Sequence, residues 1–146
     1  MKGCYILILS LDSATEIPLG RRGPKRFEVG YYAYVGSALG GLEARVGRHR
    51  RKHKRLRWHI DYLLTMARLE SVIWAQTRQK VECQLARFLA SYFPAIPHFG
   101  AGDCRCDSHL FLSHKKEDLL RTARAAFLAY GLSPEVQTHL MKKSLT

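Results

Sequence analysis

Carboxylates are scarce in this chain: 12 Asp and Glu stand against 24 Lys and Arg over 146 residues, a formal charge of +12. Such an imbalance says nothing about fold, but it favours a polyanionic partner, nucleic acid first and an anionic membrane surface second. No stretch combines a basic helical face with a strongly apolar one, and no apolar run is long enough to span a bilayer. The first ten residues hold one Lys and an apolar run, but Asp12 and Glu16 follow and no small-residue cleavage site does. That segment reads as a buried strand, and the expectation is a cytoplasmic, nucleoid-associated protein that binds DNA and no membrane. Cysteine is sparse too, at positions 4, 83, 104 and 106, and a disulfide framework is not needed at this length. Cys104 and Cys106 followed by His109 have the flavour of a metal site, but the paired Cys/His clusters of a structural zinc site are absent. Semi-buried thiols are the expectation, and zinc is not.

What is present is enough apolar residue, 47%, for one domain with a real core. No repeat or domain-sized linker interrupts it. Residues 1–132 read as one domain and 133–146 as a basic tail or short helix. Gly3 to Leu11 is a continuous Ile/Leu-rich run, which predicts a central strand. Asp12 to Gly30 mixes Pro18, Gly20, Gly23 and Pro24 with Arg21, Arg22, Lys25 and Arg26. It reads as a basic hairpin or flexible loop suited to a phosphate backbone. Strands follow at Glu28–Gly36 and Leu69–Gln76, and a short one at 110–112. Helices are expected at about 42–53, 56–67, 81–92 and 115–130. The fold class is α+β, a small three-stranded antiparallel sheet flanked by helices.

The stretch from Tyr31 to Arg51 concentrates the chemistry. A strand carrying Tyr34 breaks at Gly36 and Ser37, small residues that let a backbone approach a ligand closely. The helix that follows has Arg45, His49 and Lys52 at i, i+4 and i+7, hence on one face, with Arg48 adding charge. A tyrosine delivered to the foot of such a helix suits the handling of phosphate. Farther on, Glu82 sits in a first helical turn beside the apolar stripe. The helix dipole is a sufficient reason for it there, and an inward-leaning carboxylate is also what a divalent cation needs.

Taken together these residues resemble the GIY-YIG nuclease superfamily. Gly3-Cys4-Tyr5 matches the first triplet, with Cys for the usual Ile, and Tyr34-Val35-Gly36 matches the second. Arg45 matches the helix arginine, His49 the His or Tyr one turn later, and Glu82 the metal-binding glutamate. The triplets are farther apart than in typical members, and the family's C-terminal Asn has no match. The segments from Trp58 to Leu64 and from Asp103 to Leu110 look like a branch of small prokaryotic proteins, also found attached to endonuclease III-type glycosylases. The resemblance implies a DNA endonuclease of repair or recombination, using one Mg²⁺ or Mn²⁺ ion on Glu82. Arg45 would stabilise phosphoryl charge. Tyr5 is the favoured general base with Tyr34 as a positioning group, roles that are exchangeable, and His49 would carry a proton or bind phosphate. Gly36, Ser37, Arg21, Arg22, Lys25, Arg26, Arg48 and Lys52 would hold DNA with little sequence preference. His59, Asp61, Asp103 and His109 are candidates to crowd the cleft, capping or core hydrogen bonding being the equal alternative. A non-catalytic nucleic-acid-binding module that retains the fold is the rival reading, and a zinc-stabilised basic protein using Cys104, Cys106 and His109 is the third.

Overall fold

The computed structural model describes residues 1–100 and 106–138. Its centre is β1 (Gly3–Leu11), nine residues that are all buried. A run without polar alternation needs cover on both faces, and it has it. β1 pairs antiparallel with β4 (Gly30–Ala38) on one side and β5 (Arg68–Gln76) on the other. β6 (Leu110–Ser113) lies beyond β4, and β7 (Glu135–Thr138) beyond β5. The strand order is β6-β4-β1-β5-β7, all antiparallel.

The sheet therefore has five strands, not the three expected from sequence. β6 was expected as a short strand but not as part of the sheet. β7 lies in the segment read as a tail or short helix. It has four residues, of which only Gln137 is fully buried, so its pairing is set by the open edge of β5 rather than by its own pattern. The Arg50 guanidinium donates to the Gln137 side-chain oxygen and ties that edge to a helix.

The period of two divides the β1 side chains between two layers. Tyr5, Leu7, Leu9 and Leu11 face a cluster with Leu42, Val46, Ile60 and Leu63 from α1 (Leu42–Arg50) and α2 (His59–Leu63). Cys4, Ile6 and Ile8 face the second cluster, built on Leu85, Leu89, Leu119 and Phe127 from α3 (Glu82–Ala90) and α4 (Lys116–Ala129). No helix among the described residues is long and apolar enough to cross a membrane.

Two helices are shorter than the sequence suggests. α1 stops at Arg50 because Lys54 folds back: its ammonium donates to the Arg48 and His49 carbonyls at 3.0 and 3.1 Å, satisfying helix-end acceptors. Lys52 is thus beyond the helix, exposed, and not on the face with Arg45 and His49. α2 begins only at His59 because Asp61 caps it, accepting the backbone N–H of Arg57 and of Trp58, both at 2.8 Å. The basic connection is ordered as a hairpin of β2 (Thr15–Pro18) and β3 (Pro24–Phe27) joined through a 3-10 turn at Gly20–Arg22. Ile17, Leu19 and Phe27 anchor it in the first core cluster, beside α2.

Candidate active site

The register of β1 on β4 sets Tyr5 directly opposite Gly36. A Cβ at Gly36 would fall into the Tyr5 ring, so the absent side chain is the space the ring occupies. Gly3, opposite Ala38, is equally constrained: a Cβ there would meet the Ala75 carbonyl and the Leu42 side chain. The glycines of both triplets are thus packing requirements at the ends of two neighbouring strands. Tyr5 is only 1% exposed, and its hydroxyl lies 2.7 Å from His49 Nε2. Tyr34 stacks edge-on to both His49 and Phe99, with centroids 6.2 and 6.1 Å apart.

Arg45 reaches back from α1. Its guanidinium donates to the Ser37 carbonyl at 3.2 Å and lies 4.6 Å from the Trp58 ring centre. Arg48 lies over the same ring at 4.1 Å, but it is committed elsewhere. Both its terminal nitrogens bond Asp61, at 2.6 and 2.8 Å, and the Asp61 carboxylate is fully buried. Arg48 is therefore a structural cation, and Asp61 caps α2 and holds Arg48 instead of entering a cleft. Trp58 was not singled out in the sequence. It is the residue at the N-cap of α2, where it becomes a platform for the guanidinium groups of Arg45, Arg48 and, at 5.8 Å, Arg57.

A cleft of about 760 Å³ opens where β1 begins and β4 ends. Tyr5, Tyr34, Gly36, Ser37, Arg45 and Glu82 line it, together with His59 and His109. His49 stands behind Tyr5 and not in the wall. Glu82 comes from the first turn of α3 in the opposite layer, with a side chain 17% exposed and Lys80 Nζ 3.5 Å away. It is the single carboxylate in the wall among the described residues. His59 accepts the Gly100 N–H on Nδ1 at 3.1 Å, while His109 is buried at the foot of β6. Cys83, adjacent to Glu82, is also in the wall, and its side chain clusters with Cys106 and His109. Spacing hid that cluster because Cys83 lies on another element. Asp103 and Cys104 lie outside the described residues. Arg21, Arg22, Lys25 and Arg26 are on the hairpin, not in the cleft wall, although Arg22 is near enough to His59 to disfavour its charged form.

Burial sets the protonation states. It pushes the Tyr5 phenol above its ordinary range, and the Arg45 charge opposes this without overcoming it. Burial, then the neighbouring Tyr5 and Glu82, push Tyr34 up as well. His49 is lowered to about 3 by burial and then by Lys54. His49 is thus neutral, so it is not the cationic neighbour that would ionise Tyr5. Its Nε2 shares a buried hydrogen bond with the Tyr5 hydroxyl whose direction depends on the ring tautomer, and its Nδ1 has no partner among the described residues.

The linkage has a definite sign. A histidine that titrates lower when folded stabilises the protein above its unfolded value of 6.5, and that stability is lost as pH falls toward about 3. His59 and His109 are lowered too, and add in the same direction. Thermal melting followed between pH 7 and about 4 is expected to show a falling midpoint, and His49→Gln to flatten the fall. A midpoint unchanged over that range would contradict a buried neutral His49.

Residues 4–132 match the model of a family described as Domain of unknown function DUF123. Neither the curated proteins nor the solved structures give a match to the chain.

Proposed function

We propose that this chain, which belongs to the DUF123 family, is an endonuclease that hydrolyses DNA phosphodiester bonds with the help of one divalent cation. The observation that carries the proposal is the convergence of Tyr5, Tyr34, Arg45 and Glu82, from two strands and two helices, on one cleft beside a basic hairpin. These are the positions that the GIY-YIG resemblance names. The charge of +12 supports a polyanionic substrate, and the lack of any evident base-reading element supports structure-selective or non-specific binding.

The donor set fits a hard cation. One carboxylate in a wet cleft suits Mg²⁺ or Mn²⁺, which keep waters and take substrate phosphate oxygens as ligands. Such an ion on Glu82 would supply Lewis-acid polarisation of the scissile phosphate. The chain's own groups do the rest. Arg45, held by Ser37 and Trp58, presents its planar fork to the phosphoryl oxygens as their charge grows. Tyr5 takes the proton of the attacking water on its hydroxyl oxygen while its own proton passes to His49 Nε2. This relay leaves no phenolate, which suits a phenol whose ionisation is suppressed by burial. Binding of an anionic phosphate strengthens His49 as the final acceptor by offsetting Lys54, Arg45 and Arg48, whose charges disfavour its protonation. Tyr34, in the same wall, orients the phosphate or the water.

One observation favours the non-catalytic module instead: neither phenol is ionised and His49 is a weak base in the free protein. Incubation with duplex, flap and branched DNA, in Mg²⁺ or Mn²⁺ and in chelator, separates the readings. Metal-dependent cleavage is expected, with Glu82→Ala lowering its rate at least ~100-fold while DNA binding persists. Binding without cleavage of any substrate would establish the module. Cleavage that survives Glu82→Ala would remove Glu82 from the site.

A further inference from the structure

We infer that Cys83, Cys106 and His109 form a second metal site, beside Glu82 at the same cleft, that takes zinc. One ligand atom from each, two thiol sulfurs and an imidazole nitrogen, lie within 4.8 Å of one another. In a tetrahedral zinc site, bonds of about 2.3 Å to sulfur and about 2.0 Å to nitrogen put ligand atoms roughly 3.5–3.8 Å apart. The cluster thus needs only a small contraction to close on an ion.

The chemistry of the donors sets the class of ion. Two thiolates and an imidazole are soft and borderline ligands, which favour zinc over the hard Mg²⁺ or Mn²⁺ proposed for Glu82. The surroundings suit the ligand forms. His109 is buried, and an imidazole binds metal in its neutral form. The backbone around it is held in place: His109 N–H donates to the Phe99 carbonyl at 2.8 Å, and the Val35 N–H donates to the His109 carbonyl at 2.9 Å. Cys83 and Cys106 are half-buried, shielded yet reachable by an incoming ion. Binding displaces one proton from each thiol and involves no redox change. The three ligands leave one tetrahedral position for water.

The position in the fold says what the ion does. Cys83 is in the first turn of α3, Cys106 and His109 precede β6, and Cys83 and His109 both line the cleft. A bridge between them fastens one wall of the cleft to the helix that carries Glu82. The inference does not rest on nuclease activity: a zinc bridge would fix this wall equally in a module that only binds DNA.

The test uses the purified full chain. Elemental analysis is expected to find about one zinc per chain, and Cys83→Ser, Cys106→Ser and His109→Ala each to reduce it to under about a tenth, while Glu82→Ala retains it. Stripping with a strong chelator is expected to lower the melting midpoint by roughly 5–10 °C, and added zinc to restore it. Should a variant fail to fold, cobalt substitution of the unaltered chain reads the same site: thiolate-to-cobalt charge transfer with tetrahedral d–d bands is the expected spectrum. Three outcomes overturn the inference: a folded, reduced chain without stoichiometric zinc that takes up none, zinc content unchanged in both cysteine variants, or a Cys83–Cys106 disulfide that persists in reductant. None of them decides whether the chain cleaves DNA, and absence of cleavage alone leaves the zinc reading standing.

Discussion

Arg45→Ala is expected to slow DNA cleavage about 10²–10³-fold while changing folding stability by less than about 1 kcal/mol. The two halves of that expectation have different origins. The structural commitments of Arg45 are light: one hydrogen bond to the Ser37 carbonyl at 3.2 Å and a stacked position over Trp58. No carboxylate pairs with it among the described residues, whereas Arg48 next to it on the same ring is fully paired. Of the three guanidinium groups near Trp58, Arg48 is taken up by Asp61, while Arg45 and the more distant Arg57 both line the cleft; Arg45, at 4.6 Å from the ring centre against 5.8 Å, is the more firmly seated of the two. A group that meets charge developing on a phosphate is worth most in the transition state, so the loss should fall on the rate of the chemical step more than on affinity. Arg45→Lys keeps a charge but loses the planar fork, and an intermediate rate is expected. Single-turnover cleavage rates alongside urea unfolding check both halves. A large loss of stability with unchanged cleavage per folded molecule would reverse the assignment.

The second large effect is purely structural. Asp61→Asn is expected to destabilise the chain by about 3 kcal/mol, and Arg48→Ala by at least as much. Asp61 is fully buried, and burial alone would raise its carboxyl. The Arg48 hydrogen bonds and the Trp58 and Arg57 N–H groups outweigh that and hold it below its ordinary range. Removing Arg48 leaves a buried carboxylate with only its two backbone donors, a worse state than a partly exposed guanidinium without its partner. The side chains also join the end of α1 to the start of α2, the elements that carry His49, Trp58 and His59. Urea midpoints should fall by roughly 1–2 M with little change in slope. A loss under about 1 kcal/mol in both variants would show that water readily replaces the pair.

What could be read from the sequence follows from how local each signal was. β1 was legible to the residue because nine consecutive apolar or small residues admit little else. β5 was legible within one residue for a similar reason, since its buried Val72, Ile73 and Ala75 interrupt polar flanks. Five strands became three because β6 and β7 are four residues each and are recruited by partner edges rather than by pattern. The end of α1 was misjudged because a run of cations has no stop signal; the stop comes from Lys54 bonding back to two carbonyls. Within the site, Tyr5 and Tyr34 were legible as a pair of triplets, but the opposition of Tyr5 and Gly36 is a property of register that appears only when the strands are paired. Arg48 read as a cation for DNA and Asp61 as a cleft or capping residue; the capping alternative holds for Asp61, and only geometry showed the two bonded to each other. Cys83 belongs with Cys106 and His109 through tertiary packing alone, which no spacing rule reaches.

The most direct test of the central claim is a single-turnover cleavage time course on one end-labelled branched duplex, at saturating Mn²⁺ and again after chelation. Native protein, Glu82→Ala and Arg45→Ala should first be shown to be folded. The account predicts a discrete cleavage product from the native chain that appears only with metal, falls at least ~100-fold in either variant, and returns for the native chain when metal is restored. A native chain that binds the duplex tightly and never cuts it under these conditions would contradict the account.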